Sequence, residues 1–442
     1  MSKLLLTFYG DDFTGSTDAL EQLANFGIRA MLFIEPPTPA QLKRFPNLQA
    51  IGVAGMTRAM TPKAMEKELR PAFKKLQALG ARHVHYKVCS TFDSSPTIGS
   101  IGRVMDVAAE MFHAPFVPLL VAAPALGRYT VFGNHFARFG IGSEGAICRL
   151  DRQPSISRHP ITPMGEADLR LHLAKQTIRK IALFDILKIT LPRKESRVAL
   201  KKILAGKPPV VLFDAVDAAQ LSLIGGLIDE YATTKQPLFS VGSSGIEIAL
   251  GAHWGNKRPA QMFVKPVKQL LVGSGSCSSV TENQIAWALK NDFAEVSLDV
   301  SALAGKQVQM QILRATQLAT KHLLAGRSVM IHTTKCGSDK RLAAKLKNNS
   351  AKVLGTALGT ILRATLAQAR VQRLCIAGGD TSSFAARALG ITALEMVAPL
   401  TPGAPLCRAF APGSPAAGLE VVFKGGQVGA ENYFDIVKRG KI

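Results

Sequence analysis

The segment LLLTFYGDDFTGSTDALEQLANF, residues 4–26, joins an apolar run, a glycine turn and a helical pattern. Leu4–Phe8 predicts a buried strand, and Ser16–Phe26 predicts the helix that follows it. The same alternation continues along the chain, with further strands predicted at Ala30–Ile34, Ala50–Val53, Val117–Ala122, Val210–Phe213 and Leu238–Val241. Because strands that alternate with helices are typical of βαβ units, the sequence predicts an α/β fold with mostly parallel sheets.

A stretch without clear periodicity separates two regions of this kind. Residues 252–268 contain two prolines and four basic residues, and a new strand is predicted directly afterwards. Later elements are strands at Gln269–Val272, Ser328–His332 and Arg373–Ala377 and helices at Ala351–Gln368 and Ser382–Leu389. A chain of 442 residues has room for two or three domains. We place the boundary near residue 260, which gives domains of residues 1–260 and 261–442.

Composition excludes several classes of protein. With 47% hydrophobic residues the chain can bury a large core, which excludes disorder. The apolar run at the N-terminus is too short for a signal peptide, and no run approaches the ~20 residues that cross a bilayer. The six cysteines contain no C-x-x-C pair and are expected to be reduced thiols. These features predict a soluble cytoplasmic protein without a membrane partner.

The net charge of +23 has three interpretations: a nucleic-acid partner, an anionic small substrate, or a basic solvated surface. Aromatic residues make up only 6% of the chain, and no basic run is interleaved with aromatic side chains that could stack on bases. The densest stretch, residues 170–207, has eleven basic and two acidic residues and partly overlaps a helix predicted at Leu169–Ile181. The pattern favours a solvated surface over nucleic-acid binding.

The first candidate site is the pair Asp11 and Asp12 at the end of the first strand. Two adjacent carboxylates are costly unless they hold a cation, hydrogen-bond donors or a substrate hydroxyl. Thr14 or Ser16 is well placed to cap the next helix, and an aspartate at its start suits the helix dipole. A role at the helix N-terminus would explain one of the two carboxylates but not both. A haloacid-dehalogenase phosphatase is excluded, because its D-x-D-x-T motif would place Gly10 at the nucleophile position.

Two further polar clusters follow strands in the same domain. The turn at Tyr86–Ser95 begins with Lys87 and is rich in hydroxyl groups, which suits a polyhydroxylated acid. An ordinary turn explains it equally well. Arg128 follows a glycine and offers a rigid fork for a carboxylate, although a surface arginine is the equal alternative. His83 and His85 share a face of one strand, but without a third ligand a metal site is not expected there.

Two glycine loops in the second domain each join a strand to a helix N-terminus, at residues 273–278 and 378–383. This arrangement points backbone N–H groups at a phosphate. A third glycine cluster, residues 424–429, could close over a nucleotide or form an ordinary hairpin turn. Ser278 replaces the last glycine of G-x-G-x-x-G, which weakens a dinucleotide-binding interpretation, and the chain contains no P-loop motif.

Taken together, these segments resemble the four-carbon acid sugar kinase family. The matching segments are GDDFTGSTDALE (10–21), YKVCSTFDSSP (86–96), GRYTVFGNHFARFG (127–140), RHPITPM (158–164), VGSSGIEIAL (241–250), VGSGSCSSVTENQIAWA (272–288), AGGDTSSFAARALG (377–390) and FKGGQVG (423–429). The resemblance implies an N-terminal sugar-acid-binding domain, a C-terminal nucleotide-binding domain and an active site in the cleft between them. It also implies ATP and Mg²⁺ as cofactors.

The resemblance carries over to individual residues. The sugar-acid site would be lined by Asp11, Asp12, Lys87, Ser90, Thr91, Arg128 and His159. The ATP site would involve Ser274, Ser276, Gly378, Gly379, Asp380, Thr381 and Gly425. Many family members read K-x-D-S-T-L-R-G where this chain has Cys89, Asp93 and Ser94 at the acidic, arginine and glycine positions. This departure resembles the 3-oxo-tetronate kinases.

These residues lead to a mechanistic hypothesis. Arg128 and Lys87 hold the carboxylate of 3-oxo-tetronate, threonate or erythronate, and Asp12 accepts the proton of its terminal hydroxyl as that oxygen attacks the γ-phosphorus of ATP. Asp11 orients the substrate or the magnesium shell. Two alternatives stay open: a basic nucleic-acid-binding protein, and an NAD(P)-dependent sugar-acid dehydrogenase that uses the first glycine loop. The sequence leaves the oligomeric state open, with a homodimer among the options.

Overall fold

The computed structural model describes residues 4–139, 145–154, 156–157, 162–255, 264–276, 278–303, 305–333 and 350–440. The chain divides into two compact units. The first unit holds most of residues 1–259, and the second holds residues 260–442 together with Leu32–Ile34. None of the helices in the described ranges is long and apolar enough to cross a membrane.

The first unit is built on a parallel sheet. The strands of residues 6–242 are β1 (Leu6–Gly10), β2 (Ala30–Phe33), β3 (Ala50–Ala54), β4 (His83–Lys87), β5 (Val117–Leu120), β6 (Arg128–Val131), β7 (Asn134–Arg138), β8 (Ile147–Arg149), β9 (Ile181–Phe184), β10 (Val210–Phe213) and β11 (Leu238–Gly242). Seven of them pair in parallel in the order β3-β1-β4-β11-β5-β10-β9. Every carboxyl end in such a sheet lies on the same edge, which is where α/β proteins place their sites.

Nine helices of the first unit's described residues accompany this sheet. Their bounds are Phe13–Asn25, Pro39–Lys43, Pro62–Ala78, Ile101–Ala109, Leu169–Ala174, Ile186–Ile189, Arg193–Ala205, Ala218–Asp229 and Gly245–Trp254. Phe73 forms the centre of an aromatic cluster, with ring contacts to Tyr9, Tyr86, Phe112 and Phe239. The cluster anchors β1, β4 and β11 side by side and so fixes the positions of their carboxyl ends.

A separate antiparallel sheet of β6, β7 and β8 carries Arg128. Its hairpin turn has positive φ angles at Phe132 (50°) and Gly133 (80°). The carboxylate of Asp214, which follows β10, accepts hydrogen bonds from both backbone N–H groups of this turn. The hairpin is therefore fastened to the main sheet of its unit at the turn.

The second unit repeats the α/β pattern. Its strands are β12 (Leu270–Ser274), β13 (Phe293–Ser297), β14 (Ser328–His332), β15 (Arg373–Ala377), β16 (Ala393–Ala398), β17 (Leu406–Phe410) and β18 (Glu420–Lys424). Five of them are parallel in the order β13-β14-β12-β15-β18, and β17 and β16 continue the sheet antiparallel. Its helices are Ser279–Lys290, Val300–Leu303, Val308–Leu324, Ser350–Gln368, Gly379–Ala388 and Tyr433–Arg439.

The structure confirms the predicted two-domain α/β class with mostly parallel sheets. The strands Val210–Phe213, Ser328–His332 and Arg373–Ala377 have the predicted bounds. The helix predicted at Leu169–Ile181 is wrong, because it ends at Ala174 and Ile181 begins β9. The side chain of Gln176 bonds to Ser94 and Gly102 instead, and pairing of β9 with β10 holds the chain extended.

Candidate functional site

The carboxyl ends of β1, β3 and β4 meet at the Asp11–Asp12 turn. Residue pairing places Gly10 opposite both Ala54 and Lys87. The backbone N–H of Asp11 donates to the carbonyl of Lys87 at 2.8 Å, and the N–H of Arg58 donates to the carbonyl of Asp11 at 3.1 Å. These main-chain hydrogen bonds hold Asp11, Lys87 and Arg58 close together at the carboxyl ends of the three strands.

Asp12 caps the helix Phe13–Asn25. Its Oδ1 accepts from the N–H of Gly15 at 2.8 Å, and its Oδ2 accepts from the Thr14 hydroxyl at 2.9 Å. Arg58 adds an ion pair to Oδ2 at 2.8 Å. Burial raises the pKa of Asp12, but Arg58, Lys87 and these hydrogen bonds outweigh it and hold the pKa below its usual value. The predicted caps Thr14 and Ser16 are therefore wrong, since the carboxylate of Asp12 occupies that position.

Asp11 has a different environment from its neighbour. The residue is 3% exposed, and its Oδ1 is buried with no hydrogen-bond partner among the described residues. Burial and the negative charge of Asp12 raise the pKa of Asp11 to about 7, against the lowering effect of Arg58 and Lys87. Two adjacent carboxyl groups therefore differ sharply in basicity.

Lys87 is a buried cation among carboxyl groups. Its Nζ donates to the Val88 carbonyl at 3.0 Å and lies 3.6 Å from a carboxylate oxygen of Asp18. Burial lowers the pKa of Lys87, but the carboxyl groups of Asp18, Glu247, Asp11 and Asp12 together outweigh it and raise the pKa above its usual value. Glu247 is itself fully buried with a pKa raised to about 8 by desolvation. Lys87 thus balances the charge beneath the Asp11–Asp12 turn.

The loop that follows β4 contains the predicted hydroxyl cluster. Phe92 is buried with a φ of 58°, a conformation that non-glycine residues seldom adopt. The Thr91 hydroxyl donates to Asp93 at 2.9 Å. The Ser90 carbonyl lies 2.9 Å from Nε2 of His135, which is on β7. The loop is thus strained and joined to the hairpin sheet that carries Arg128.

Arg128 is 4% exposed and is held by one edge of its guanidinium. Its NH1 donates to the carbonyls of Leu126, Gly127 and Arg138 at 3.0–3.2 Å. Its Nε is buried and has no hydrogen-bond partner among the described residues. Burial lowers the pKa of Arg128, and the largest opposing effects come from Cys89 and Asp93. An anionic ligand would satisfy this unpaired donor.

The three glycine loops of the second unit lie against one another. The N–H of Gly378 (φ 126°) donates to the Lys424 carbonyl at 2.9 Å. A Cβ at Gly275 would lie 2.6 Å from Thr381, and a Cβ at Gly426 would lie 2.9 Å from Ser278. The loops after β12, β15 and β18 are in contact. They can approach so closely because the residues at the contact points are glycines, which have no Cβ.

Lys424, the first residue of the third glycine cluster, lies at the base of these loops. It is fully buried, its Nζ donates to the Thr281 hydroxyl at 2.9 Å, and the ammonium group lies 5.4 Å from the centre of the Tyr433 ring. Burial lowers the pKa of Lys424 to about 8. A buried cation beside two helix N-termini makes the region electropositive.

The other predicted nucleotide residues belong to the same three loops. Ser274 ends β12, and its hydroxyl accepts from the N–H of Ser276 at 3.4 Å. Gly379 begins a helix, and the Thr381 hydroxyl points back to the Gly275 carbonyl at 3.5 Å. Gly425 opens the turn that follows β18, where its carbonyl accepts from Val428. His159 and the side chain of Asp380 lie outside the described residues.

Three charged residues of these sites were not predicted: Arg58, Asp18 and Glu247. Arg58 follows an apolar strand, the same signal that identified Lys87. Asp18 and Glu247 lie inside helices, and the sequence pattern there gives no signal that an acidic side chain is buried. Among the described residues no group of three or more His, Cys, Asp or Glu side chains could hold a metal ion.

Comparisons with known proteins agree with this division of the chain. A family described as a sugar-binding N-terminal domain matches residues 6–250, and one described as a nucleotide-binding C-terminal domain matches residues 271–434. The chain belongs to this two-domain family. The resemblance inferred from the motifs is thereby confirmed at the level of the family.

Two curated relatives are named as kinases of 3-oxo sugar acids. The chain is 40% identical over 454 residues to the 3-oxo-isoapionate kinase of Paraburkholderia graminis, covering 99% of this chain and 95% of that one. It is 29% identical to the 3-oxo-tetronate kinase of Pseudomonas savastanoi pv. phaseolicola, covering 97% and 96% of the two chains.

Two solved structures share the fold. A Salmonella typhimurium protein described as a tRNA synthase has a TM-score of 0.78 at 23% identity, over 98% of this chain and 99% of its own. A Haemophilus influenzae protein has a TM-score of 0.70 at 22% identity, again over 98% and 99%. At this level of identity the likeness shows the fold alone.

Proposed function

We propose that this protein is a kinase that transfers the γ-phosphoryl group of ATP to an alcohol group of a 3-oxo sugar acid. The observation that carries the proposal is 40% identity, along nearly the whole chain, to a 3-oxo-isoapionate kinase. Identity to the 3-oxo-tetronate kinases is lower, at 29% or less. We therefore place 3-oxo-isoapionate ahead of 3-oxo-tetronate as the substrate, with threonate and erythronate behind both.

The first unit supplies the site for the sugar acid. Arg128 has a buried, unpartnered Nε whose guanidinium is already fixed through NH1, so it is preorganised for a carboxylate. Ser90 and Thr91, on the loop joined to the same hairpin, supply hydroxyl groups for a polyhydroxylated ligand. The ammonium group of Lys87 is turned towards Asp18 and offsets the negative charge of the Asp11–Asp12 turn. We therefore assign the carboxylate of the sugar acid to Arg128 alone.

The second unit supplies the site for ATP. Its three glycine loops expose backbone N–H groups at the N-termini of the helices Ser279–Lys290 and Gly379–Ala388, the geometry that binds phosphate groups. Lys424 adds a positive charge directly beneath them. Mg²⁺ would be carried by the phosphate groups of the nucleotide, which are its usual ligands in kinases.

Phosphoryl transfer needs little covalent chemistry from a protein. Catalysis depends on holding the hydroxyl oxygen in line with the γ-phosphorus and on neutralising the charge of the transferred group. The fixed guanidinium of the first unit would hold the acid, and the glycine loops of the second unit would hold the nucleotide. The buried cation Lys424 would contribute to the neutralisation by adding positive charge at the nucleotide site.

The test is a comparison of kcat/KM for 3-oxo-isoapionate, 3-oxo-tetronate, threonate and erythronate, with ADP release measured at saturating ATP. The wild type should prefer 3-oxo-isoapionate. Arg128→Lys keeps the charge but loses the fork, so KM for the sugar acid should rise by about tenfold or more while KM for ATP stays within about twofold. No ADP release with any of the four acids would contradict the proposal.

A further inference from the structure

We infer that Asp11, and not Asp12, accepts the proton that the sugar-acid hydroxyl loses during transfer. This inference rests on the proposed function. The hydroxyl oxygen forms a bond to the γ-phosphorus, the bond between that phosphorus and the bridging oxygen of ADP breaks, and the hydroxyl proton moves to the Asp11 carboxylate. ADP, the phosphorylated acid and a protonated Asp11 result, and the proton then passes to solvent.

Asp12 is fully engaged in holding the turn. Its Oδ1 caps the helix through Gly15, and its Oδ2 receives the Thr14 hydroxyl and the Arg58 guanidinium. A carboxylate that accepts three hydrogen bonds or ion pairs is stabilised in its charged form and is a weak base. Protonation of Asp12 would also weaken the helix cap, and the lost stabilisation would add to the free energy of the transfer step in every turnover.

Asp11 has the opposite arrangement. Its backbone is held at both ends, because its N–H donates to Lys87 and its carbonyl accepts from Arg58. Its side chain is nine-tenths or more buried, yet Oδ1 has no partner among the described residues. A carboxylate that is positioned so firmly and bonded so little is suited to receive a proton, since protonation relieves a buried charge.

The groups that face Asp11 tune its basicity from each neighbouring element. Asp12 in the same turn and Asp93 in the loop after β4 raise its pKa, whereas Arg58 after β3 and Lys87 at the end of β4 lower it. Together with burial, which has the largest effect, they bring the pKa to about 7. A general base works best when its pKa lies near the working pH, so this value supports the geometric assignment.

The experiment compares kcat and both KM values of the wild type, Asp11→Asn, Asp12→Asn and Asp106→Asn between pH 5 and 9. Asp106 lies on the helix Ile101–Ala109, bonded to Thr177 and Arg179, and serves as the matched control for an acid-to-amide change. Thermal shifts with a nonhydrolysable ATP analogue and with the sugar acid show whether each variant folds and binds both ligands.

We expect kcat of Asp11→Asn to fall by about 10²- to 10⁴-fold, with each KM within about threefold of the wild type. The wild-type kcat/KM for the sugar acid should rise with pH through an inflection within about one unit of 7, and the residual kcat/KM of Asp11→Asn should lack it. Asp12→Asn should be less stable than the wild type and should have raised KM values, but its pH profile should keep the inflection. Asp106→Asn should match the wild type.

Three results would overturn the assignment: an Asp11→Asn variant that keeps more than about a tenth of kcat, an inflection that persists in it, or loss of the inflection in Asp12→Asn. If Asp11→Asn does not fold, the wild-type profile decides, because a flat profile across pH 6–8 excludes Asp11. A wild type that is inactive on every sugar acid refutes the proposed function itself. An active wild type with an active Asp11→Asn refutes only the proton acceptor.

Discussion

Replacing Asp11 with asparagine is expected to stabilise the folded protein at neutral pH while it removes activity. The carboxyl group of Asp11 is buried with Oδ1 unpartnered, so its charged form is held at a cost in the folded state. Asparagine has nearly the same shape and carries no charge. The variant therefore keeps the packing of the turn and loses the unfavourable charge.

The size of the effect follows from the pKa of Asp11. Folding raises that pKa from 3.8 to about 7, which corresponds to about 4 kcal/mol at pH values above both. Because the folded state binds this proton more tightly than the unfolded state, the Asp11 contribution favours folding most at low pH and declines as pH rises from about 4 to 7. The stability gained by Asp11→Asn should thus be below about 1 kcal/mol at pH 4 and reach about 4 kcal/mol at pH 8.

The measurement is the free energy of unfolding in urea for both proteins, at intervals between pH 4 and 9, in the absence of ligands. A difference between the two proteins that grows with pH and levels off above about pH 7 supports the account. A difference that stays constant over this range, or a variant that is less stable than the wild type at pH 8, would refute the reasoning about Asp11.

Further variants test other parts of the structure. Lys424→Met should weaken ATP binding about tenfold by calorimetry, since it removes a buried charge beneath the glycine loops, and unchanged affinity would count against that role. Gly15→Ala places a Cβ 2.4 Å from Oδ1 of Asp12 and should cost about 1 kcal/mol with a fall in kcat/KM, whereas Gly165→Ala, with open space around it, should cost little. Arg373→Met removes a buried arginine that is bonded to a carboxylate and to three carbonyls, so unfolding free energy should drop by about 3–5 kcal/mol, and a drop below about 1 kcal/mol would contradict this.

Much of the fold and site was predictable because both depend on local patterns. An apolar strand that ends in Gly-Asp-Asp and a strand that ends in Tyr-Lys place Asp11, Asp12 and Lys87 at carboxyl ends, and parallel pairing brings those ends together. The glycine loops were recognisable for the same reason. Their mutual contact required only that β12, β15 and β18 be neighbours.

The remaining features depend on tertiary contacts that the sequence does not display. The unequal basicity of Asp11 and Asp12 comes from which oxygen atoms Arg58 and the helix N–H groups reach, and residue order alone does not show this. The helix predicted beyond Ala174 failed because Gln176 bonds to distant residues instead of continuing the helix. Tertiary hydrogen bonds overrode a weak local preference in that segment.

Direct detection of the product tests the central claim most closely. The purified protein is incubated with ATP, Mg²⁺ and 3-oxo-isoapionate, and the mixture is followed by ³¹P NMR and mass spectrometry. The account predicts equal amounts of ADP and of a new phosphate monoester whose mass is that of the acid plus one phosphoryl group. Unchanged ATP, or ADP formed together with free phosphate and no new ester, in this mixture and in a parallel one with 3-oxo-tetronate, would contradict it.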